Sequence, residues 1–250
     1  MPGAGVDLSC RIEGRGHAVV VVHDIGSSMA EAQELAAPLA KSCRIVTYDR
    51  RGYGESGAPE PYAATTAAEQ GEDLGALLHA TGVDEPLAIG VGFGALAVLD
   101  RLVREPGQLG AAILVDPPAY AFVPEATAAL SERLAELEAA IEGAGAPAGV
   151  AQWLGPDVPP ARLERAHQDQ RAFFADLAGL ASLEAGRPGM KAIEVPVTIV
   201  TGPLSRPEDL AAADALAALI PGCGRRSDGD AAGAALPLVT CDRRSRESPA

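Results

Sequence analysis

A glycine-rich stretch in the first half of the chain, residues 90–95, reads GVGFGA and has the residue types of a loop that a ligand can approach closely. Apolar residues precede it and helix-forming residues follow it, so it is predicted to join a strand to a helix. Its spacing fits the G-x-G-x-x-G/A pattern of dinucleotide-binding loops, and Asp116 follows about 20 residues later, where that pattern places the acid that binds ribose. A dinucleotide loop normally opens its domain, whereas two βα units precede this stretch. An NAD(P)-dependent oxidoreductase is therefore kept as an alternative.

Three acidic or imidazole side chains stand at the ends of apolar runs, where they could transfer protons. His23 and Asp24 follow one such run, and Asp116 ends another. The carboxyl ends of parallel strands are where the sites of α/β proteins form, and a carboxyl group at the mouth of an apolar pocket can act as a general acid or base. We predict His23, Asp24 and Asp116 as catalytic candidates. The plainer alternatives are that Asp24 caps a turn and that His23 is structural.

The elements that must position these residues alternate along the chain. Strands are predicted at 6–12, 18–22, 44–48, 87–91, 111–115 and 197–201, and helices at 30–40, 66–80, 95–104 and 208–219. This alternation is typical of an α/β fold with a mostly parallel sheet and helices on both faces.

The stretch 117–190 breaks the alternation, because it is rich in helix formers and is interrupted by Gly/Pro clusters. It is predicted to be a helical cap inserted into one α/β core, whose first part is 1–116 and whose second part is 191–240. Within the second part, 222–235 is predicted to be a poor strand. Residues 241–250 are predicted to be a tail without regular structure.

Three stretches carry a resemblance to a known family. Residues 19–28 read VVVVHDIGSS, residues 48–56 read YDRRGYGES, and residues 87–100 read LAIGVGFGALAVLD. In order and spacing they resemble landmarks of the α/β-hydrolase superfamily, close to its capped, haloperoxidase-like and esterase-like members. The resemblance implies an α/β-hydrolase fold with a mostly parallel central sheet and a helical cap over the pocket.

The resemblance also implies where a Ser-His-acid triad would stand. The nucleophile position is Gly92, which has no hydroxyl group to form an acyl-enzyme. The acid position is Ser205, and 227–233, where the base would follow the last strand, reads SDGDAAG without a histidine. We therefore predict a diverged member that lacks the triad. By the same resemblance, the backbone N–H groups of Ile25 and Phe93 would be the oxyanion donors.

The predicted cap holds a large share of the few aromatic residues of the chain. Tyr120, Trp153 and His167 are predicted to line the substrate pocket, with His167 as the one cap histidine that could exchange protons. An aromatic lid with few polar groups suits a flat, apolar or aromatic small molecule, such as a polyketide-like compound.

With the triad positions lost, the resemblance implies non-hydrolytic chemistry in specialised metabolism, because the superfamily contains diverged members of this kind. Such an enzyme would use the backbone oxyanion donors for proton transfer, cyclisation or carbon–carbon bond formation. Three alternatives stay open: a non-catalytic small-molecule binding protein, a hydrolase in which a relocated base assists direct water attack, and the NAD(P)-dependent oxidoreductase.

Composition excludes several classes of partner. The formal net charge of −14 argues against binding to nucleic acid or to an anionic membrane, both of which need a basic patch. The four cysteines are widely spaced, which indicates reduced thiols rather than a zinc site. We expect no metal and no cofactor, no membrane span, no signal peptide and a cytoplasmic location, and the sequence leaves a homodimer open.

Overall fold

A seven-stranded sheet forms the centre of the computed structural model, which describes the backbone of residues 1–246 and the side chains of residues 1–239. The strands are β1 Cys10–Gly14, β2 His17–Val22, β3 Cys43–Tyr48, β4 Leu87–Val91, β5 Ala111–Val115, β6 Val197–Val200 and β7 Gly224–Arg226. Their order in the sheet is β1-β3-β2-β4-β5-β6-β7. β1 is antiparallel to β3, and the other pairings are parallel. The predicted α/β architecture with a mostly parallel sheet is confirmed.

Helices cover both faces of this sheet in the described part of the chain. They are α1 Met29–Ala36, α2 Ala67–Thr81, α3 Phe93–Arg104, α4 Pro124–Ala144, α5 Ala146–Leu154, α6 Pro160–Gln168, α7 Gln170–Ala178, α8 Arg187–Lys191, α9 Pro207–Leu219 and α10 Ala231–Arg246. Helices α4 to α8 all lie between β5 and β6, in the stretch that the sequence predicts as a cap. Each described helix is too short or too polar to cross a bilayer.

The valines of β2 show why the central strands are continuously apolar. Val20 and Val22 pack into one core with α2 and α3, whereas Val19 and Val21 pack into a second core with α1 and α10. Successive side chains of a strand point to opposite faces, so a strand that is covered on both faces must be apolar at every position.

The sheet order places four loops at one edge. β2 pairs with β3 on one side and with β4 on the other, so the chain reverses its direction of progress across the sheet at this point. Ligand sites of open α/β sheets form at the carboxyl ends of the strands beside such a reversal. The loops after β2, β4, β5 and β6 therefore surround one crevice.

A buried ion pair attaches the helices between β5 and β6 to the core. Arg50, in the turn after β3, donates from Nη1 to Oδ1 of Asp176 on α7 at 3.0 Å, and both side chains are fully buried. The hydroxyl group of Tyr53 donates to the other oxygen of Asp176 at 2.6 Å. All three polar groups thus find partners, as burial requires.

The structure differs from the predicted elements at both ends of the chain. The first strand begins at Cys10 rather than at residue 6, because the backbone of Asp7 instead bonds Gly57 N and forms a bridge with Pro2. The poor strand predicted at 222–235 shrinks to β7, and the chain continues as α10, whose small Ala231 and Ala235 pack on the sheet. Helix α10 extends to Arg246, into the predicted irregular tail, and 247–250 lie outside the described residues.

Candidate functional site

The turn between β4 and α3 is held in a strained shape by three glycines. Gly92 has φ 51° and ψ −121°, a backbone conformation that residues other than glycine rarely adopt. Its N–H donates to the carbonyl oxygen of Val115 at 2.9 Å. A Cβ on Gly94 would lie 2.4 Å from the carbonyl oxygen of Val22, and one on Gly90 would lie 2.6 Å from Cα of Ala95. The glycines therefore let β4 turn sharply into α3 while α3 packs against the end of β2.

The carboxylate of Asp24 occupies the space beside Gly92. Its Oδ1 accepts a hydrogen bond from the backbone N–H of Phe93, the first residue of α3, at 2.9 Å. A Cβ on Gly92 would lie 1.8 Å from that same oxygen and 2.2 Å from Cγ of Asp24. A side chain at residue 92 and the carboxylate in this position exclude each other, so Gly92 is what permits Asp24 to bond at the start of α3.

This contact corrects the prediction for the oxyanion donors. Ile25 and Phe93 both lie in the wall of the cavity, as predicted, but the N–H of Phe93 already donates to Asp24. A substrate oxygen reaches that donor only if the carboxylate leaves. The sequence could not show this, because Asp24 and Phe93 are distant in the chain.

Arg162 of α6 holds the loop that carries Asp24. Its guanidinium group donates to the carbonyl oxygens of Gly26 at 3.2 Å and Ile25 at 3.3 Å, and it lies 3.8 Å from Oδ2 of Asp24. About a third of the Asp24 side chain remains exposed. Sequence reasoning missed Arg162, and the only signal for it was a cation in the predicted cap.

Asp116 directly follows β5 and lies across the cavity from Asp24. It has φ 44°, unusual for a residue with a side chain, and its Oδ1 accepts a hydrogen bond from the Ser205 hydroxyl group at 2.5 Å. Burial raises the pKa of Asp116 to about 6, and the nearby carboxylates of Asp209 and Asp24 add to this, although the Ser205 hydrogen bond opposes it. Asp116 can therefore exist in both protonation states near neutral pH.

Ser205 is fixed as a partner of Asp116 rather than as an independent group. Its hydroxyl oxygen accepts a hydrogen bond from Gly202 N at 2.7 Å, and the same hydroxyl group donates a hydrogen bond to Asp116. The position at which the family resemblance implies an acid thus supports a carboxyl group on the neighbouring strand.

Tyr120 and Trp153 line the cavity as predicted, each with charged neighbours. The Tyr120 hydroxyl group donates to Oδ1 of Asp209 at 2.5 Å, and burial, followed by the Asp209 charge, raises the pKa of Tyr120. The guanidinium carbon of Arg133 lies 3.8 Å from the centre of the Trp153 ring, and Arg206 donates to the Trp153 carbonyl oxygen at 3.1 Å. These are charged surroundings for two aromatic side chains.

The cavity has a volume of about 310 Å³ and is more polar than the sequence predicts. Its wall includes three carboxylates and three guanidinium groups, from residues that the predictions had in part missed: Asp24, Asp116, Asp209, Arg133, Arg162 and Arg206. The predicted apolar lining does not describe this cavity, because the helices between β5 and β6 contribute arginines as well as aromatic residues. Among the described residues, no cluster of His, Cys, Asp and Glu is arranged to hold a metal ion.

His23 lies outside the cavity wall, contrary to its prediction as a catalytic residue. It is fully buried, its Nδ1–H donates to the Asp24 carbonyl oxygen at 2.9 Å, and its Nε2 accepts from Arg50 N at 2.9 Å. Burial, with Arg50 nearby, lowers the pKa of His23 well below its usual value. A neutral imidazole with both nitrogens bonded to backbone holds the loop after β2 in place and has no free nitrogen for a substrate.

His167 also lies outside the cavity wall. Its Nε2 lies 3.1 Å from the carbonyl oxygen of Pro147, in a contact between α6 and the start of α5. The prediction that it lines the substrate pocket is wrong for this cavity, because α6 turns Arg162 inward and His167 toward α5.

The loop that follows β7 reaches the edge of the site without a histidine. Gly229 N donates to the Thr201 carbonyl oxygen at 2.9 Å, so 227–233 packs against the end of β6. Asp228 pairs with Arg226, and Asp230 caps the start of α10 through Gly233 N at 2.7 Å. Both carboxylates are engaged locally at the surface.

Comparisons with known proteins agree with this architecture. A family model described as the alpha/beta hydrolase family matches residues 19–236. A carboxylesterase structure from Nitrososphaera gargenis is similar over 95% of this chain and 96% of that chain, with a TM-score of 0.73 and 20% identity. The enol-lactonase from Burkholderia xenovorans LB400 is similar over 97% and 96%, with a TM-score of 0.67 and 19% identity. These structural likenesses bear on the fold.

Two curated relatives match shorter stretches. The probable oxidoreductase EphD of Mycobacterium tuberculosis is 34% identical over 106 residues, which are 41% of this chain and 18% of that protein. The 3-oxoadipate enol-lactonase 1 of Acinetobacter baylyi is 33% identical over 97 residues, which are 38% of this chain and 35% of that protein. The matched stretches thus span well under half of each relative.

Proposed function

Because the chain belongs to the alpha/beta hydrolase family, we propose that it is an enzyme of this fold that works without a Ser-His-acid triad and uses Asp116 to transfer protons. The observation that carries the proposal is the position of Asp116, a half-buried carboxyl group at the end of β5 that faces the cavity beside the Gly92 turn. A general acid or base works best when its pKa lies near the working pH, and that of Asp116 is raised to about 6.

The environment of Asp116 supports this role. Ser205 bonds one carboxyl oxygen, Oδ1, which fixes the group and leaves Oδ2 for a ligand. Backbone strain at residues other than glycine is found preferentially at functional sites. Asp116 has such a strained conformation, with φ 44°. Acyl transfer through residue 92 is disfavoured, because glycine has no hydroxyl group and the space beside it holds the Asp24 carboxylate.

The substrate that fits best is a small molecule with polar groups, since the cavity of about 310 Å³ is at the lower end for a ligand site and is lined by charged side chains. Proton transfer, elimination and cyclisation each need a general acid or base, and Asp116 would be that group. A role in specialised metabolism and a cytoplasmic location remain part of the proposal as expectations from sequence, and the sequence leaves a homodimer open. No cofactor is required for this chemistry.

The test is exchange or isomerisation of small carbonyl compounds in D₂O, followed by proton NMR. A panel of lactones, enols and β-dicarbonyl compounds is incubated with the wild-type protein, with Asp116→Asn and with Asp214→Asn. Asp214 is a matched control because its side chain is 71% exposed and lies on α9 away from the cavity. We expect Asp116→Asn to slow the reaction by about 10²-fold or more and Asp214→Asn to leave it unchanged.

A second measurement does not depend on finding a substrate. Carboxyl-carbon NMR of the wild-type protein, assigned by its difference from Asp116→Asn, reports the titration of Asp116 directly. A midpoint near pH 6 supports the proposal, and a midpoint near 4 removes its basis. A fluorophosphonate probe should label neither protein, because no serine occupies the turn.

A non-catalytic binding protein is the second candidate, and one contact favours it. The N–H of Phe93 is satisfied by Asp24 within the protein, as in a site that no longer stabilises a substrate oxyanion. A binding protein would return the same ligand unchanged after long incubation, and Asp116→Asn would alter affinity without altering any rate.

A further inference from the structure

Two arginines converge on the one tryptophan of the chain, on the side of the cavity that the helices form. The guanidinium carbon of Arg133, on α4, lies 3.8 Å from the centre of the Trp153 ring, and that of Arg206 lies 6.0 Å from the same centre. Arg206 also donates from Nη2 to the Trp153 carbonyl oxygen at 3.1 Å. Two like charges around one ring repel each other, so an anion bound beside them would stabilise the arrangement.

Arg133 has donor capacity that the described part of the protein does not use. Its Nη1 lies 3.7 Å from Oε1 of Glu208, which makes an ion pair but is beyond hydrogen-bond distance. Its Nη2 is buried and has no hydrogen-bond partner among residues 1–239, whose side chains the structure describes. The Arg133 side chain is 15% exposed and lines the cavity. Buried donors normally have a partner, and here a bound ligand would supply the acceptor after a small movement of the guanidinium group.

We propose that Arg133 and Arg206 form an anion subsite, and that the ligands of this cavity are small molecules with a single carboxylate group. A guanidinium group matches a carboxylate in charge and in planar shape, and the hydrogen bonds between them are charge-assisted. The inference rests on the proposed function for the reaction alone, since the subsite would select and orient the substrate on which Asp116 acts.

The charges of the cavity determine how such a ligand lies. Asp24 and Asp116 come from the loops after β2 and β5, at the edge of the sheet. Arg133 and Arg206 come from α4 and from the residue before α9. The third guanidinium group, that of Arg162, is engaged by the loop that carries Asp24. The sheet edge therefore repels a carboxylate and the helical side attracts it, so the other end of the ligand points toward Asp116.

The size and charge of the cavity restrict the ligand further. The wall already holds the carboxylates of Asp24, Asp116 and Asp209, so a group with two negative charges is disfavoured relative to a carboxylate. The volume of about 310 Å³ suits a short carbon chain, for which Ile25 and Leu154 provide apolar wall. A short acid with a carbonyl group at its other end meets all of these conditions.

The experiment measures binding by the fluorescence of Trp153, which reports on the subsite itself because the chain has one tryptophan. The full-length protein is titrated with 4-oxopentanoate and with 4-oxopentanamide, which has nearly the same shape but no charge. We expect a saturable change with the acid and a dissociation constant at least about tenfold higher for the amide. This comparison uses the wild-type protein, so it stands whether or not a variant folds.

Matched variants then identify the residues. Arg133→Gln and Arg206→Gln are each expected to weaken the binding of 4-oxopentanoate about tenfold or more, because each removes a charge-assisted contact. Arg187→Gln is the control, because Arg187 also lies near an aromatic ring, that of Phe122 at 5.9 Å, but outside the cavity wall. It should leave the dissociation constant unchanged. In the D₂O exchange assay with 4-oxopentanoate, Arg133→Gln should raise KM more than it lowers kcat, as expected of a group that binds rather than reacts.

The outcomes separate the anion subsite from the proton-transfer function. Equal binding of acid and amide, no fluorescence change with either, or binding that both arginine variants leave unchanged overturns the subsite, and the NMR titration of Asp116 still decides the function. Tighter binding of methyl phosphate than of 4-oxopentanoate overturns the single carboxylate as the ligand group. Binding of the acid that both arginine variants weaken, without any exchange in D₂O, supports the subsite and counts against proton transfer by Asp116.

Discussion

Replacing Gly92 with alanine is expected to destabilise the fold both by displacing the Asp24 carboxylate and by straining the backbone of residue 92. A Cβ at residue 92 would lie 1.8 Å from Oδ1 of Asp24, so the carboxylate must give up its hydrogen bond to Phe93 N. Loss of a hydrogen bond to a charged group costs about 1.5–3 kcal/mol, and a side chain at φ 51° and ψ −121° adds about 1–3 kcal/mol. We expect Gly92→Ala to lower the free energy of unfolding by about 2.5–6 kcal/mol.

Urea unfolding of four proteins separates the two contributions. The set is the wild type, Gly92→Ala, Asp24→Ala and the double variant, treated as a double-mutant cycle. Once Asp24 is alanine, Gly92→Ala should cost only the backbone contribution, so the coupling energy should be about 1.5–3 kcal/mol. An equal cost of Gly92→Ala in both backgrounds would refute the reasoning, because the carboxylate would then not occupy the space of the residue-92 side chain.

Three further changes test other parts of the structure. Asp116→Asn should stabilise the fold at pH 7 by about 1–2 kcal/mol after allowance for solvent screening, and thermal unfolding should show the gain fading below pH 4. The sign follows because a carboxyl pKa raised in the folded state to about 6 makes stability fall as pH rises from 4 to 6. Gly94→Ala should lower the melting temperature by more than about 5 °C, because its Cβ would lie 2.4 Å from the last carbonyl oxygen of β2, whereas Gly143→Ala, with open space around it, should leave it unchanged or raise it. Asp176→Asn should cost about 3–5 kcal/mol in urea unfolding, because it leaves Arg50 buried without its charge partner, and a cost below 1 kcal/mol would argue against the buried pair.

The family and most of the sheet could be predicted from local sequence. The predicted strands at 87–91 and 111–115 match β4 and β5 residue for residue, because a strand buried on both faces must be a short apolar run that ends at turn-forming residues. The turn after β4 could likewise be predicted from its glycines, since only glycine permits such close approach of β2, β4 and α3.

The candidate site could be predicted only in part. Asp24 and Asp116 were found because both end apolar runs, and the edge of a parallel sheet collects such residues whatever the details of packing. His23 was assigned by its position after an apolar run and His167 by its residue type within the predicted cap, but in the structure their ring nitrogens contact backbone groups instead. The one signal for Arg162 was a cation in the predicted cap, which does not say where that cation lies.

The sequence by itself determined that the chain builds a mostly parallel sheet and that residue 92 has no side chain to offer. Only the tertiary structure decided that the space at Gly92 is taken by Asp24, that Ser205 supports Asp116, and that the cavity is charged. The physical reason is the separation, along the chain, of the residues that interact. Strand and turn formation depend on neighbouring residues, whereas the bond between Asp24 and Phe93 N and the desolvation of Asp116 depend on loops that only the order of the strands brings together.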